Sequence, residues 1–245
     1  MRPGQARPRR EGHPKVQQIQ TISLALPLRM GGVNCYLVRT DSGFVLVDTG
    51  PSNQRSTLEE ALLTAGCRPG DANLKLIVLT HGDFDHIGNA AYLRERFGAK
   101  IAMHPDDAGM AEQGDMFWNR SSGGALLRRL APILFRFGET NRFRPDVYLE
   151  DGDALTQYGF DAGVISIPGH SKGSVAILTA AGDLFCGDLL DSTKGPAISS
   201  IMDDPSACET SLEKLKGYEI ATVYPGHDRP FPMASFLASH RQRSG

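Results

Sequence analysis

Four side chains able to bind a metal ion fall within six residues, at His81, Asp83, Asp85 and His86. An apolar run of strand length, Leu74-Lys-Leu-Ile-Val-Leu79, leads into them. A helical pattern, Asn89 to Phe97, follows and is stopped by Gly98. A loop at the carboxyl end of a buried strand is held rigidly and still meets solvent, so chemistry is often placed there. Asp and Gly are ordinary turn residues, which accounts for Gly82 and Asp83. It does not account for two imidazoles flanking two carboxylates. That mixture of donors suits Zn, Fe or Mn, and metal binding is the chemistry this stretch predicts.

The other candidate residues also stand at the ends of strand-like runs. Gly43-Phe-Val-Leu-Val ends at Asp48, whose expected work is to hold a neighbouring ligand loop by hydrogen bonds. Lys100-Ile-Ala-Met ends at His104, read either as a substrate contact or as a structural histidine. Gly163 to Pro168 leads to Gly169-His170, Leu184-Phe-Cys-Gly to Asp188, and Ile220 to Tyr224 to Pro-Gly-His227. Strand ends of a packed sheet cluster along one edge, so these residues can converge there. The Pro-Gly pairs let the backbone turn sharply before each histidine. Further strands are expected at 18–26, 34–39, 147–149, 155–160 and 175–179, and helices at 56–66, 204–217 and 231–243.

Residues 105–146 break this alternation. Met110, Met116, Phe117, Trp118 and the Leu126–Phe137 run lie between charges and a Ser121–Gly124 turn. They read as a helical insertion, serving as a lid over an apolar substrate, a subunit interface or core. Trp118, with His104, is the candidate for the substrate pocket.

The 245 residues carry 40% hydrophobic and 22% charged side chains, as expected of a globular chain with a sizeable core. Residues 1–18 read as a disordered basic tail and 19–245 as one domain. Arg2, Arg7, Arg9, Arg10 and Lys15 face only Glu11 in the tail, so the body is more acidic than the net charge of -2 suggests. An acidic body argues against nucleic acid as a partner, and no apolar run is long enough to cross a membrane. Cys35, Cys67, Cys186 and Cys208 form no CxxC and read as free thiols of a cytoplasmic protein. Cys186 could join the site only weakly, because Asp188 already supplies a ligand there. The expected partner is a small molecule, with a homodimer left open by the apolar insertion.

Val47-Asp48-Thr49-Gly50, Thr80-His81-Gly82-Asp83-Phe84-Asp85-His86, Pro168-Gly169-His170, Gly187-Asp188 and Pro225-Gly226-His227 together resemble the metallo-β-lactamase superfamily. The resemblance runs over roughly residues 20–235 and keeps the family's motif order. It implies an α/β fold, an αββα sandwich of two similar halves with a two-metal site along one sheet edge. It implies one ion on His81, the residue at 83 and His170, and a second on Asp85, His86 and His227, with Asp188 between them. Asp85 and Asp188 would be the catalytic carboxylates, and two divalent ions, zinc first, would bring the pKa of bound water down to about 7. The implied reaction is attack of the resulting hydroxide on an ester, thioester or lactone carbonyl of a small, partly hydrophobic substrate.

One position departs from the family, which usually has histidine where this chain has Asp83. A carboxylate is a harder donor and admits Fe or Mn. Flavodiiron relatives place Glu there, so a non-haem iron oxidoreductase is the alternative, with β-lactam hydrolysis as a further carbonyl chemistry. Against that alternative, no second domain for a flavin is expected from these residues.

Overall fold

Alternation along the strands decides which of three cores each side chain joins. In a computed structural model, which describes residues 18–120 and 124–244, the strand Gly43–Val47 sends Phe44 and Leu46 to one side and Val45 and Val47 to the other. Strands buried on both faces read as continuous apolar runs, which is why the sequence signal was strong here. The basic tail through residue 17, and positions 121–123 of the expected turn, lie outside the described residues.

The first sheet takes its strands in chain order: β1 (Ile19–Ala25), β2 (Gly32–Thr40), β3 (Gly43–Val47), β4 (Leu74–Val78), β5 (Lys100–Met103) and β6 (Val147–Tyr148). The pairs β1–β2 and β2–β3 are antiparallel, and β3 through β6 run parallel. The parallel crossovers carry α1 (Arg55–Ala65), α2 (Phe84–Ile87), α3 (Ala90–Phe97), α4 (Pro105–Gln113) and α5 (Ala125–Leu134). Leu58 and Leu62 of α1 and Leu93 and Phe97 of α3 fill the core on that side of the sheet.

The second sheet contains β7 (Ala162–Ser166), β8 (Val175–Thr179) and β9 (Asp183–Gly187), then the short pair β10 (Leu190–Asp191) and β11 (Ala197–Ile198) outside it. The helix α6 (Pro205–Leu215) returns the chain to β12 (Thr222–Pro225), which lies parallel to β9, and to β13 (Phe231–Pro232) and α7 (Met233–Ser244). Leu212 and Leu215 of α6 and Met233 and Phe236 of α7 pack on the outer face. The middle core joins the sheets: Tyr36, Val45, Val47, Leu76 and Val78 from the first, Val164, Val175, Ile177 and Phe185 from the second. The layers therefore run helix, sheet, sheet, helix, as expected.

Two local expectations are corrected. Residues 155–160 do not form a strand; Thr156–Tyr158 is a 3-10 turn closed by Gly159 at φ 73°. Leu155 and Phe160 still enter the middle core, so their apolar pattern reported burial rather than strand. The metal-ligand stretch is not a plain loop either. Phe84–Ile87 is one helical turn with Asp83 at its N-cap, so Asp85 and His86 project from a helix.

Candidate metal centre

Parallel neighbours bring carboxyl ends to the same edge. In the first sheet β3 delivers Asp48 and β4 delivers Thr80 and His81, tied by Asp48 N donating to Val78 O at 2.9 Å. In the second sheet β9 delivers Asp188 beside the His227 that follows β12, with Gly226 N donating to Gly187 O at 2.8 Å. The sheets are stitched together along that edge, Val175 N to Thr80 O at 2.8 Å and Asn34 N to Gly226 O at 2.7 Å. Separate halves of the chain thus meet where the candidate ligands stand.

Every histidine of the cluster is held by Nδ1, which leaves Nε2 facing the centre. His86 Nδ1 donates to Asp48 Oδ2 at 2.9 Å, His170 Nδ1 to Ile201 O at 2.8 Å and His227 Nδ1 to Gly32 O at 2.7 Å. His81 Nδ1 lies 3.0 Å from Thr80 Oγ1, which itself donates to Asp48 Oδ2 at 2.8 Å. Anchoring the far nitrogen fixes ring orientation and makes the near one a better donor to a metal. Asp48 therefore orients His86 directly and His81 through Thr80, from a backbone at φ 58°.

The ligand atoms fall into groups. His81, Asp83 and His170 form one, Asp85, His86 and His227 another, and His81, His86 and Asp188 a third, with the atoms of each within 4.8 Å of one another. Asp188 Oδ1 is 3.3 Å from His86 Nε2, and its Oδ2 is 3.2 Å from His227 Nε2 and 4.0 Å from both His81 Nε2 and His170 Nε2. Room for this is made by Gly226, where an added Cβ would sit 2.2 Å from Asp188 Oδ1. Gly169 serves differently, at φ 149° with its α-carbon against Cys208.

The donor set fits a divalent cation. His81 Nε2, His86 Nε2 and Asp188 Oδ1 are buried and lack hydrogen-bond partners among the described residues, an expensive state for polar atoms unless a ligand takes them up. Burial and the nearby His86 and His170 push His81 well below the usual histidine range, toward the neutral form a metal requires. Burial opposes ionisation of Asp188, yet His227 and His86 hold it well below the usual carboxylate range. Burial likewise lowers His170 and His227, but Asp83 and Asp188 respectively outweigh it and raise both to about 9. Protons and cations compete for the same atoms.

Two residues of the insertion reach this centre, and sequence reasoning gave neither a role. Asp107 on α4 is buried and accepts from Gly82 N at 3.0 Å, Ser171 Oγ at 2.6 Å and Gly173 N at 2.9 Å. It clamps the His81 loop to the His170 loop. Arg120 donates from Nη1 to Asp83 Oδ1 at 2.6 Å. In sequence both are unremarkable charges, a helix-start Asp and an Arg before a turn, and no spacing marked them.

The remaining candidates belong to none of the ligand groups. His104 spends its Nδ1 on capping α4, accepting from Asp106 N at 3.2 Å. Trp118 is 42% exposed with its ring laid against Gly109. Cys186 is buried in the outer core of the second sheet, where burial pushes its thiol up to about 12. All four cysteines are free, and no helix among the described residues is long and apolar enough to cross a membrane.

Residues 28–227 match the profile of the metallo-beta-lactamase superfamily. The chain is 28% identical over 172 residues to the hydroxyacylglutathione hydrolase GloC of Haemophilus influenzae, covering 67% of this chain and 70% of that protein. It is 29% identical over 220 residues to the acyl-coenzyme A thioesterase MBLAC2 of Bos taurus, covering 81% and 74%. Among solved structures, TTHA1623 in a di-iron-bound form superimposes with a TM-score of 0.66 at 28% identity, covering 88% of this chain and 96% of that one.

Proposed function

The chain belongs to the metallo-beta-lactamase superfamily and is a metal-dependent hydrolase, and from that premise we propose that it cleaves a small acyl thioester at a two-metal centre. The observation that carries the proposal is the set of buried, partnerless donors of His81, His86 and Asp188 converging from both sheets. His81, Asp83 and His170 would hold one divalent ion and Asp85, His86 and His227 the other. Asp188 would lie between the two ions, its charge screening their repulsion. When bound, such ions supply hydroxide at neutral pH and polarise a carbonyl oxygen.

What the chain itself contributes is orientation and charge. The Nδ1 anchors hold each ring in place before any cation arrives, so little reorganisation is required on binding. Asp85, with Oδ2 3.6 Å from His227 Nε2 and 3.9 Å from His86 Nε2, would hold one ion and orient the attacking nucleophile. An ester or lactone would present the same carbonyl. A thioester is preferred because acylglutathione and acyl-coenzyme A, the substrate types in the names of two relatives, share that bond. The carboxylate at Asp83 and the di-iron form of a structural neighbour keep iron beside zinc as the resident metal.

Metal analysis of protein purified without added metal, followed by an ester, lactone and thioester panel, is the test. We expect two divalent ions per chain and fastest turnover on an acyl thioester, both lost together in Asp188→Ala. Wild-type metal content with full activity in Asp188→Ala would overturn the assignment.

A further inference from the structure

Arg120 touches the candidate centre without belonging to any ligand group. Its side chain is 7% exposed and lies between two carboxylates. Nη1 donates to Asp83 Oδ1 at 2.6 Å. Nε lies 2.7 Å from Asp203 Oδ2, an ion pair rather than a well-directed hydrogen bond. Nη2 reaches His170 O at 3.5 Å. The backbone is fixed as well, since Arg128 Nη2 donates to Arg120 O at 3.2 Å and to Phe117 O at 2.9 Å.

The consequence falls on Asp83. With Oδ1 taken by the guanidinium, Oδ2 is the oxygen left facing the imidazoles, 3.1 Å from His170 Nε2 and 3.8 Å from His81 Nε2. A bare carboxylate would bring a full negative charge and two donor oxygens, which favours hard cations. A carboxylate in a charge-assisted bond to Arg brings one oxygen and little net charge. The guanidinium keeps its charge at any working pH and its fork geometry fixes which oxygen it takes.

We infer that Arg120 is a positioning residue for the His81–Asp83–His170 subsite, making Asp83 act as a single-oxygen ligand of reduced negative charge and thereby setting which metal that subsite prefers. The inference rests on the metal-centre reading above. Asp83 and Arg120 then form one unit, so exchanging either alone unbalances the subsite, and exchanging both for a neutral donor and a neutral neighbour restores it. Asp83→His alone leaves the guanidinium, paired with Asp203 only, facing the bound ion without the carboxylate that lay between them.

The test is a double-substitution cycle read by metal binding rather than turnover. Zn(II) and Mn(II) affinities are measured by competition with a chromophoric chelator for the full-length wild type, Asp83→His, Arg120→Met and the double variant. Asp83→His should weaken the first subsite by about 10–100-fold, the usual cost of disturbing a ligand's surroundings, and Arg120→Met added to it should recover most of that loss. Arg120→Met alone should move the preference from Zn(II) toward Mn(II), whereas Arg120→Lys, which keeps the charge, should not. If the methionine variant fails to fold, Arg120→Gln removes the charge while keeping a donor and runs the same cycle. Additive effects, with no recovery in the double variant, would overturn the role of Arg120. His170→Ala separates the two readings: if it binds metal as the wild type does, the metal-centre assignment itself is wrong and the inference falls with it.

Discussion

Asp188 faces all four imidazoles of the cluster, and no other residue among those described does so. Its loss should therefore cost metal and activity together, as set out above. Proton competition gives a second prediction at this scale. In the metal-free protein His170 and His227 are held protonated up to about 9, so binding must expel those protons. Apparent metal affinity should climb as pH rises from about 7 to about 9, with proton release visible as a buffer-dependent binding enthalpy in calorimetry. A pH-independent affinity between 7 and 9 would contradict it. Asp107 supplies a third. Asp107→Ala leaves the buried donors of Gly82 and Gly173 without their acceptor, an expected loss of about 1–3 kcal/mol. Thermal melting would show it, and metal affinity should fall with it, because the two ligand loops are no longer clamped.

The insertion shows how a sequence element can have two faces with different jobs. Its inner side, with Met110, Phe117, Ala131, Phe135 and Phe137, is buried, so plain core accounts for part of its apolar content. Its outer side is not core: Leu126 is 71% and Ile133 70% exposed on α5, with Leu127 and Leu130 beside them. Residues 115–120 are pinned by Arg128, which also bonds Asp115 Oδ2 at 2.6 Å. Trp118 sits on that pinned segment, two residues from the arginine that grips Asp83. Trp118→Ala should then weaken long-chain acyl substrates by about 1–2 kcal/mol, the effect of one large apolar contact, and leave short ones unchanged. A kcat/KM series over acyl chain length checks this. Uniform loss across the series, or dissociation of an oligomer, would remove the lid reading.

At the scale of the molecule the site exists only because two sheets are held in register. Phe185 on β9 lies in the middle core with its ring 5.3 Å from Tyr36 and 5.0 Å from Tyr224, all three close behind the site edge. Phe185→Ala should cost about 3–5 kcal/mol and loosen metal binding, since β9 also carries Asp188 to the edge. Unchanged metal affinity in a folded Phe185→Ala protein would mean the ligands are positioned locally instead. A ligand that bridges both halves also stabilises the whole. At a free metal concentration about 100 times the dissociation constant the gain is about 2.7 kcal/mol, or roughly 5–10 °C in Tm for a chain of this size. Calorimetry with and without a chelator measures it directly.

Much of this was legible in the residues. Continuous apolar strands, glycine stops and ligand residues at strand ends follow from local periodicity and backbone chemistry, and they placed His81, Asp83, Asp85, His86, His170, Asp188 and His227 on one edge. Asp48 was legible for the same reason, as a carboxylate at a strand end. The 3-10 turn at Thr156–Tyr158 was not, because burial and strand give the same short apolar signal. Asp107 and Arg120 were hidden for a different reason. Their partners lie 25 residues or more away along the chain, and nothing in a charge's neighbours along the chain tells which distant group it will neutralise. The sequence determined which chemistry could be assembled; only the docking of the insertion against both ligand loops decided how the charge of Asp83 is balanced.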